Sequence, residues 1–289
     1  MIAYRDGRPS PDLLRLQHQH KRLLRLLAAT CERHGLRFFL AAGSALGAVR
    51  HGDVIPWDDD IDVGMLRPDY DRLCRLLARE PIPGTFLQHW DSEPGYPLPF
   101  AKLRLDGSFI DDAEFDATGF HRGISIDVFP YEPLPRSTLA VWLQRYGLGL
   151  LNLLILPPLY EGAAAPRSRP RRALKALAVK ARAVVPLRPL VRAREWLLRM
   201  EVLPKGEWAD CYAMFGVSSH RRTMVRRRDL EPPSMGRFGG DAVPLPADTD
   251  AYLARLYGDY MQPPAEDRRV PLHTGRVDFP SDATKTPKW

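Results

Sequence analysis

Residues 43–65 read GSALGAVRHGDVIPWDDDIDVGM. Four aspartates fall within five positions: Asp58, Asp59, Asp60 and Asp62. Neighbouring like charges repel, so such a cluster costs energy unless a cation sits among them. From Asp60 to Met65 the chain alternates with the period of a β-strand. Ile61, Val63 and Met65 then share the apolar face. Asp60 and Asp62 share the opposite face and can approach one cation. Asp58 has the same parity but lies at the strand mouth, and Asp59 points away.

Upstream, Leu36 to Ala42 (LRFFLAA) predicts a buried strand, and Gly43-Ser44 a turn into a short helix from Ala45 to Arg50. Strand, Gly-Ser, helix can bind phosphate, because backbone N–H groups and the positive helix end face an anion. The first helix is marked by Ser10 as cap, Pro11 at its first position and Gly35 at its stop. An apolar stripe of leucines gives it a structural role, with His18 and His20 read as surface residues. Between Arg50 and Asp58, a loop carries Trp57, with Pro56 keeping Ile55 extended.

Downstream, Pro68 to Glu80 predicts a helix and Thr85 to Asp91 a strand. Phe100–Leu105 and Ser108–Asp112 predict a hairpin around Asp106-Gly107, with Lys102 and Arg104 on one face. Gly123 to Phe129 (GISIDVF) predicts another core strand. Asp127 sits in its middle, where a carboxylate needs a metal, a cation or a catalytic role. Hard oxygen ligands suit Mg²⁺ or Mn²⁺, so Asp60, Asp62 and Asp127 are the expected metal and catalytic set. Asp127 can also help deprotonate an attacking hydroxyl.

The chain has 289 residues and a net charge of +7. Residues 166–200 carry eleven Lys/Arg against Glu195 alone, a net of +10, so the remainder sums to −3. The basicity is local and points to an anionic partner such as a membrane face or a phosphorylated polymer. The apolar run Leu139 to Leu156 precedes it; Gln144, Arg145 and Asn152 break it, and its uninterrupted part is too short to span a bilayer. An apolar helix followed by a basic amphipathic one fits attachment to a membrane surface; a helical cover over the catalytic sheet fits the same pattern. Three widely spaced cysteines and no leader-like N-terminus predict reduced thiols in the cytoplasm. The predicted division is a catalytic core at 1–135, a helical basic insert at 136–200 and a completing part at 201–289. The polar tail from about 274 is expected to be mobile.

Gly43 to Arg50 (GSALGAVR) followed by Ile55 to Asp62 (IPWDDDID) resembles the signature of the LicD family. AKLR with GISIDVFP, and VPLP with YLARLYGDYMQPP and His273, are similar to its middle and end. Fukutin-related protein is an animal relative of that family. The resemblance implies an α/β nucleotidyltransferase-like fold, a mixed sheet flanked by helices. It implies transfer of a phospho-alcohol from a CDP-linked donor, CDP-choline first, to a hydroxyl of a saccharide or glycolipid, releasing CMP. On that resemblance the metal aspartates fall on Asp60 and Asp62, with Asp127 the third acid. Gly43, Ser44, Arg50, Trp57, Lys102 and His273 are assigned to the donor. The apolar and basic segments together predict a cytoplasmic protein peripheral at the inner membrane face, and no nucleic acid partner is expected. The competing readings are a sugar-nucleotide glycosyltransferase using the aspartate pair as a DxD motif, and a non-enzymatic membrane-surface adaptor.

Overall fold

The computed structural model describes residues 2–112, 119–134, 138–156, 177, 180, 185–199, 211–214, 224–272 and 274–280. A two-stranded ribbon, β1 (Tyr4–Arg5) and β2 (Arg8–Pro9), leads into helix α1 (Pro11–His34). Ser10 caps α1 by accepting from the Leu13 N–H, and Gly35 ends it in the left-handed region at φ 59°. Leu13, Leu16, Leu23, Leu24, Leu27 and Cys31 are buried along one stripe. Each such leucine contributes roughly 1.5–3 kcal/mol by leaving water. His20 lies on the same stripe and is 1% exposed, against the expectation of a surface residue, whereas His18 is exposed. Its spacing from Leu16 and Leu24, one helical turn each way, dictates that burial.

The sheet is built around one long strand. Next come β3 (Phe39–Leu40), α2 (Ala42–His51), β4 (Asp62–Leu66), α3 (Arg67–Leu77), β5 (Thr85–Gln88), β6 (Ala101–Leu105), β7 (Phe109–Asp112) and β8 (Ser125–Pro133). On one edge β8 runs parallel to β4, and β4 pairs with β3. On its other edge β8 pairs first with β6 and then with β9 (Cys211–Met214), which continues to β10 (Met224–Arg226). The chain is thus a mixed α/β fold, its sheet flanked by helices. Ile61, Val63, Met65, Ile124, Ile126 and Val128 are all buried in the main core, as the alternation requires.

Two expectations are corrected here. β6 and β7 do not form a hairpin: β6 is paired with β5 on one edge and β8 on the other, so no edge is left for β7. β7 instead pairs with β13 (Thr274–Asp278), a segment expected to be mobile tail. Val277 opposite Ile110 supplies a cross-strand apolar pair there.

After β8 come α4 (Thr138–Ile155) and α5 (Leu187–Leu198), which pack together. Most of the basic segment between them lies outside the described residues. The hairpin β11 (Ser234–Phe238) and β12 (Asp241–Leu245) precedes α6 (Thr249–Tyr257), capped by Asp248. Among the described residues no helix is long and apolar enough to cross a membrane.

Candidate active site

The pairing registers put three charged side chains in one row across the sheet. Asp62 on β4 is opposite Asp127 on β8, and Asp127 is opposite Lys102 on β6. Directly paired positions share a face, on strands roughly 4.8 Å apart. Lys102 Nζ donates to both oxygens of Asp127 at 2.8 Å. Lys102 is 8% exposed, so this is a shielded ion pair within the site. Arg104, its neighbour in parity, turns into structure: it donates to the Gln88 side chain at 2.5 Å and to the Gly123 carbonyl at 2.7 Å.

The acidic run enters this row from the loop after α2. Asp58 and Asp60 are hydrogen-bonded to each other. Burial first, then Asp60, Asp127 and Asp58, hold the Asp62 carboxyl well above the usual carboxylate range. Burial first, then Asp60 and Asp59, do the same to Asp58. β4 begins only at Asp62, so Asp58 to Asp60 lie in the loop and not in the strand expected from Asp60, and Asp59 is buried there and accepts from the Leu272 N–H at 3.2 Å. The loop is held from outside by Gln17 on α1, which donates to the Asp58 carbonyl at 2.8 Å.

The Gly-Ser pair lies inside the first turn of α2, which begins at Ala42. The Ser44 hydroxyl accepts from the Asp62 N–H at 2.8 Å, so it positions the start of β4 and keeps its own proton to donate. Gly43 faces Asp58: a Cβ there would lie 3.1 Å from Asp58 Oδ2. Behind the turn, the Tyr252 hydroxyl accepts from the Ala42 N–H and bonds the Tyr131 hydroxyl at 2.7 Å. Burial, then Tyr252 and the carboxylates Asp62, Asp58 and Asp60, push the Tyr257 phenol up.

Trp57 is ringed by basic and aromatic groups. Arg50 lies 5.9 Å and Arg269 5.5 Å from its ring, and Tyr4 and His51 meet it edge-on, each at 5.7 Å. Arg50 donates to the Tyr260 carbonyl, and burial followed by the Arg269 charge lowers its pKa. Two cations converging beside an acidic cluster form a place for a charged, phosphorylated group. Arg269 was not anticipated, because it follows an irregular loop with no motif of its own. His20 was also missed: it lies beneath the row, near Asp59 and Lys102, with its Nδ1 lacking a hydrogen-bond partner among the described residues. His273, assigned to the donor from the family pattern, lies outside the described residues.

Among the described residues no three His, Cys, Asp or Glu side chains are gathered closely enough to hold a metal ion on their own. Mg²⁺ commonly binds through one or two carboxylates with substrate oxygens completing its shell, and Asp60 and Asp62, whose charges act on each other, are the carboxylates that would hold it here.

Residues 35–143 match the family described as LicD/FKTN/FKRP, nucleotidyltransferase domain. Over 112 residues the chain is 32% identical to lipopolysaccharide cholinephosphotransferase LicD of Haemophilus influenzae, an alignment covering 38% of this chain and 40% of that protein. Over 56 residues it is 49% identical to ribitol 5-phosphate transferase FKRP of Homo sapiens and of Mus musculus, covering 19% of this chain and 11% of theirs. The aligned part therefore spans less than half the length of these relatives.

Proposed function

We propose, for a chain whose residues 35–143 match the LicD/FKTN/FKRP nucleotidyltransferase domain family, that it transfers a phospho-alcohol from a CDP-linked donor to a glycan or glycolipid hydroxyl. The observation that carries the reading is the in-register row Asp62–Asp127–Lys102 with Asp58 and Asp60 beside it. Burial and like charge hold Asp62 well above the usual carboxylate range, and a cation would relieve that repulsion. Mg²⁺ or Mn²⁺ fits this donor set, held by Asp60 and Asp62, with Asp127 adjacent. Bound there, it would supply neutralisation of charge on the donor phosphates.

The chain's own residues supply the rest. Arg50 and Arg269 flank Trp57 and meet the donor phosphates; in the first turn of α2 the Ala42, Ser44 and Ala45 N–H groups are already donated to Tyr252 and to the Ala41 carbonyl, so Gly43 and the Ser44 hydroxyl are what that turn offers the donor. The acceptor oxygen attacks the alcohol-bearing phosphorus, the new P–O bond forms, and the bond to CMP breaks. Asp127, held by Lys102, takes the proton of the attacking hydroxyl.

The test is a panel of CDP-choline, CDP-ribitol and CDP-glycerol with Mg²⁺ or Mn²⁺, followed by CMP release. Asp60→Asn and Asp62→Asn should each lower turnover by at least about a hundredfold, the scale of losing one preorganised charge contact. Either cation should raise the melting temperature of the wild type and of neither variant. Retained turnover in both variants overturns the reading. A glycosidic product with release of a nucleoside diphosphate would instead mark a sugar transferase.

A further inference from the structure

Helix α4 buries one face and exposes the opposite one. Ala140, Gln144, Leu148 and Ile155 point inward. Leu139, Trp142, Leu143, Tyr146 and Leu150 recur at i, i+3, i+4, i+7 and i+11, a stripe about 100° wide. All five are between 42% and 67% exposed. Scattered apolar residues on a surface need no explanation, but a continuous stripe with an indole and a phenol does. Trp and Tyr are the side chains that favour the boundary between water and lipid.

Among the described residues of α4 and α5, the exposed charge has one sign. Arg145 on α4 and Arg188 and Arg192 on α5 are exposed, and Trp196 shares their face of α5 at 64% exposure. The acid of α5, Glu195, is turned inward. By sequence, residues 166–200, which include α5, sum to +10, although only some of them are among the described residues. This combination is complementary to an anionic lipid surface and not to a second copy of the same basic face.

The pair is tied to the catalytic sheet. Gln144 donates to the Leu197 carbonyl at 2.9 Å, joining α4 to α5. Arg194 donates to the Pro97 carbonyl at 2.5 Å, and Glu195 lies 3.6 Å from Arg67 at the end of β4. A membrane seated on α4 would therefore hold the Asp62–Asp127 row in a defined orientation. We infer that the α4–α5 face is a docking surface for an anionic bilayer, which delivers the site to a lipid-borne acceptor. The docking stands on the α4–α5 face alone; only the delivery rests on the transferase reading.

The probe is flotation of the full chain with phosphatidylcholine vesicles, with and without about one-third phosphatidylglycerol. Anionic vesicles should be bound at least about tenfold more tightly, and the binding should weaken as salt rises. Trp142→Ser with Leu150→Ser should lower the affinity at least about tenfold. Arg188→Gln and Arg192→Gln should lower it roughly fivefold each, with the neutral-vesicle background unchanged. These side chains are exposed, and circular dichroism checks that the variants remain folded. Asp60→Asn should bind vesicles as the wild type does, so loss of turnover and loss of docking are read separately. Absence of binding at low salt, or variants that bind like the wild type, overturns the inference. So does a concentration-dependent dimer abolished by the Trp142 and Leu150 changes without vesicle binding, which would assign the stripe to contact between copies.

Discussion

At the scale of single residues, burial decides which titratable groups matter. Burial pushes His20 down to about 4, helped by the Lys102 charge and opposed by Asp59. Burial, followed by Arg67, Arg199 and Arg194, pushes His89 to about 3. Both are neutral in the fold, whereas the unfolded chain takes up their protons below about 6.5. The unfolded state thus binds more protons as pH falls, and stability is lost in that direction. Each should cost roughly 2 kcal/mol by pH 5. Asp58 and Asp62, with raised values, act in the opposite sense, so the comparison must be between variants. Urea titrations at pH 7 and pH 5 should show a shallower loss in the His20→Gln, His89→Gln double variant; an equal loss would refute the assignment. His20 was recognisable from its spacing among the leucines of α1. Its place beneath Lys102 was not, because 82 positions separate them along the chain.

At the scale of elements, close backbone approach explains the glycines of GSALG. A Cβ on Gly47 would meet the Asp53 carbonyl oxygen at 2.6 Å and the Ile55 nitrogen at 3.2 Å. α2 can therefore lie against the loop that carries Trp57 and Asp58 only with glycine there. Gly47→Ala should cost about 1–3 kcal/mol and lower turnover by displacing that loop. A Cβ on Gly149 of α4 would meet nothing within 4 Å, so Gly149→Ala should be neutral or stabilising by up to about 1 kcal/mol. Thermal melts of the two variants check both, and equal effects would argue against packing as the cause. The strands β4 and β8 were readable from alternation alone. The partner of β7 was not, because a turn at Asp106-Gly107 is also satisfied when the second strand leaves for a remote partner.

At the scale of the whole molecule, a buried charge network fastens the insert to the sheet. Arg67 follows β4 directly and grips Glu132 of β8 with two donors, and it approaches Asp71 at 3.3 Å and Glu195 of α5 at 3.6 Å. Glu132 is fully buried. Removing one partner of a buried pair leaves an uncompensated charge, so Glu132→Ala should cost about 3–5 kcal/mol in a urea unfolding experiment. Asp71 and Glu195 remain near Arg67 and place the effect toward the lower end of that range. A cost below about 1 kcal/mol would mean that solvent reaches the pair.

What the residues determined by themselves was local and periodic: the caps of α1, the alternation of 60–65, the aspartate of β8, the basic bias of 166–200. Short-range sterics and burial periodicity act within a few positions and are written in the chain. Only the tertiary structure decided which side chains meet. The parallel register of β4 on β8 set Asp62 beside Asp127, and the antiparallel register of β6 gave Asp127 its lysine. Arg269 reached Trp57 from the far end of the chain. Register and long-range docking arise from the packing of the whole core, which no local pattern encodes.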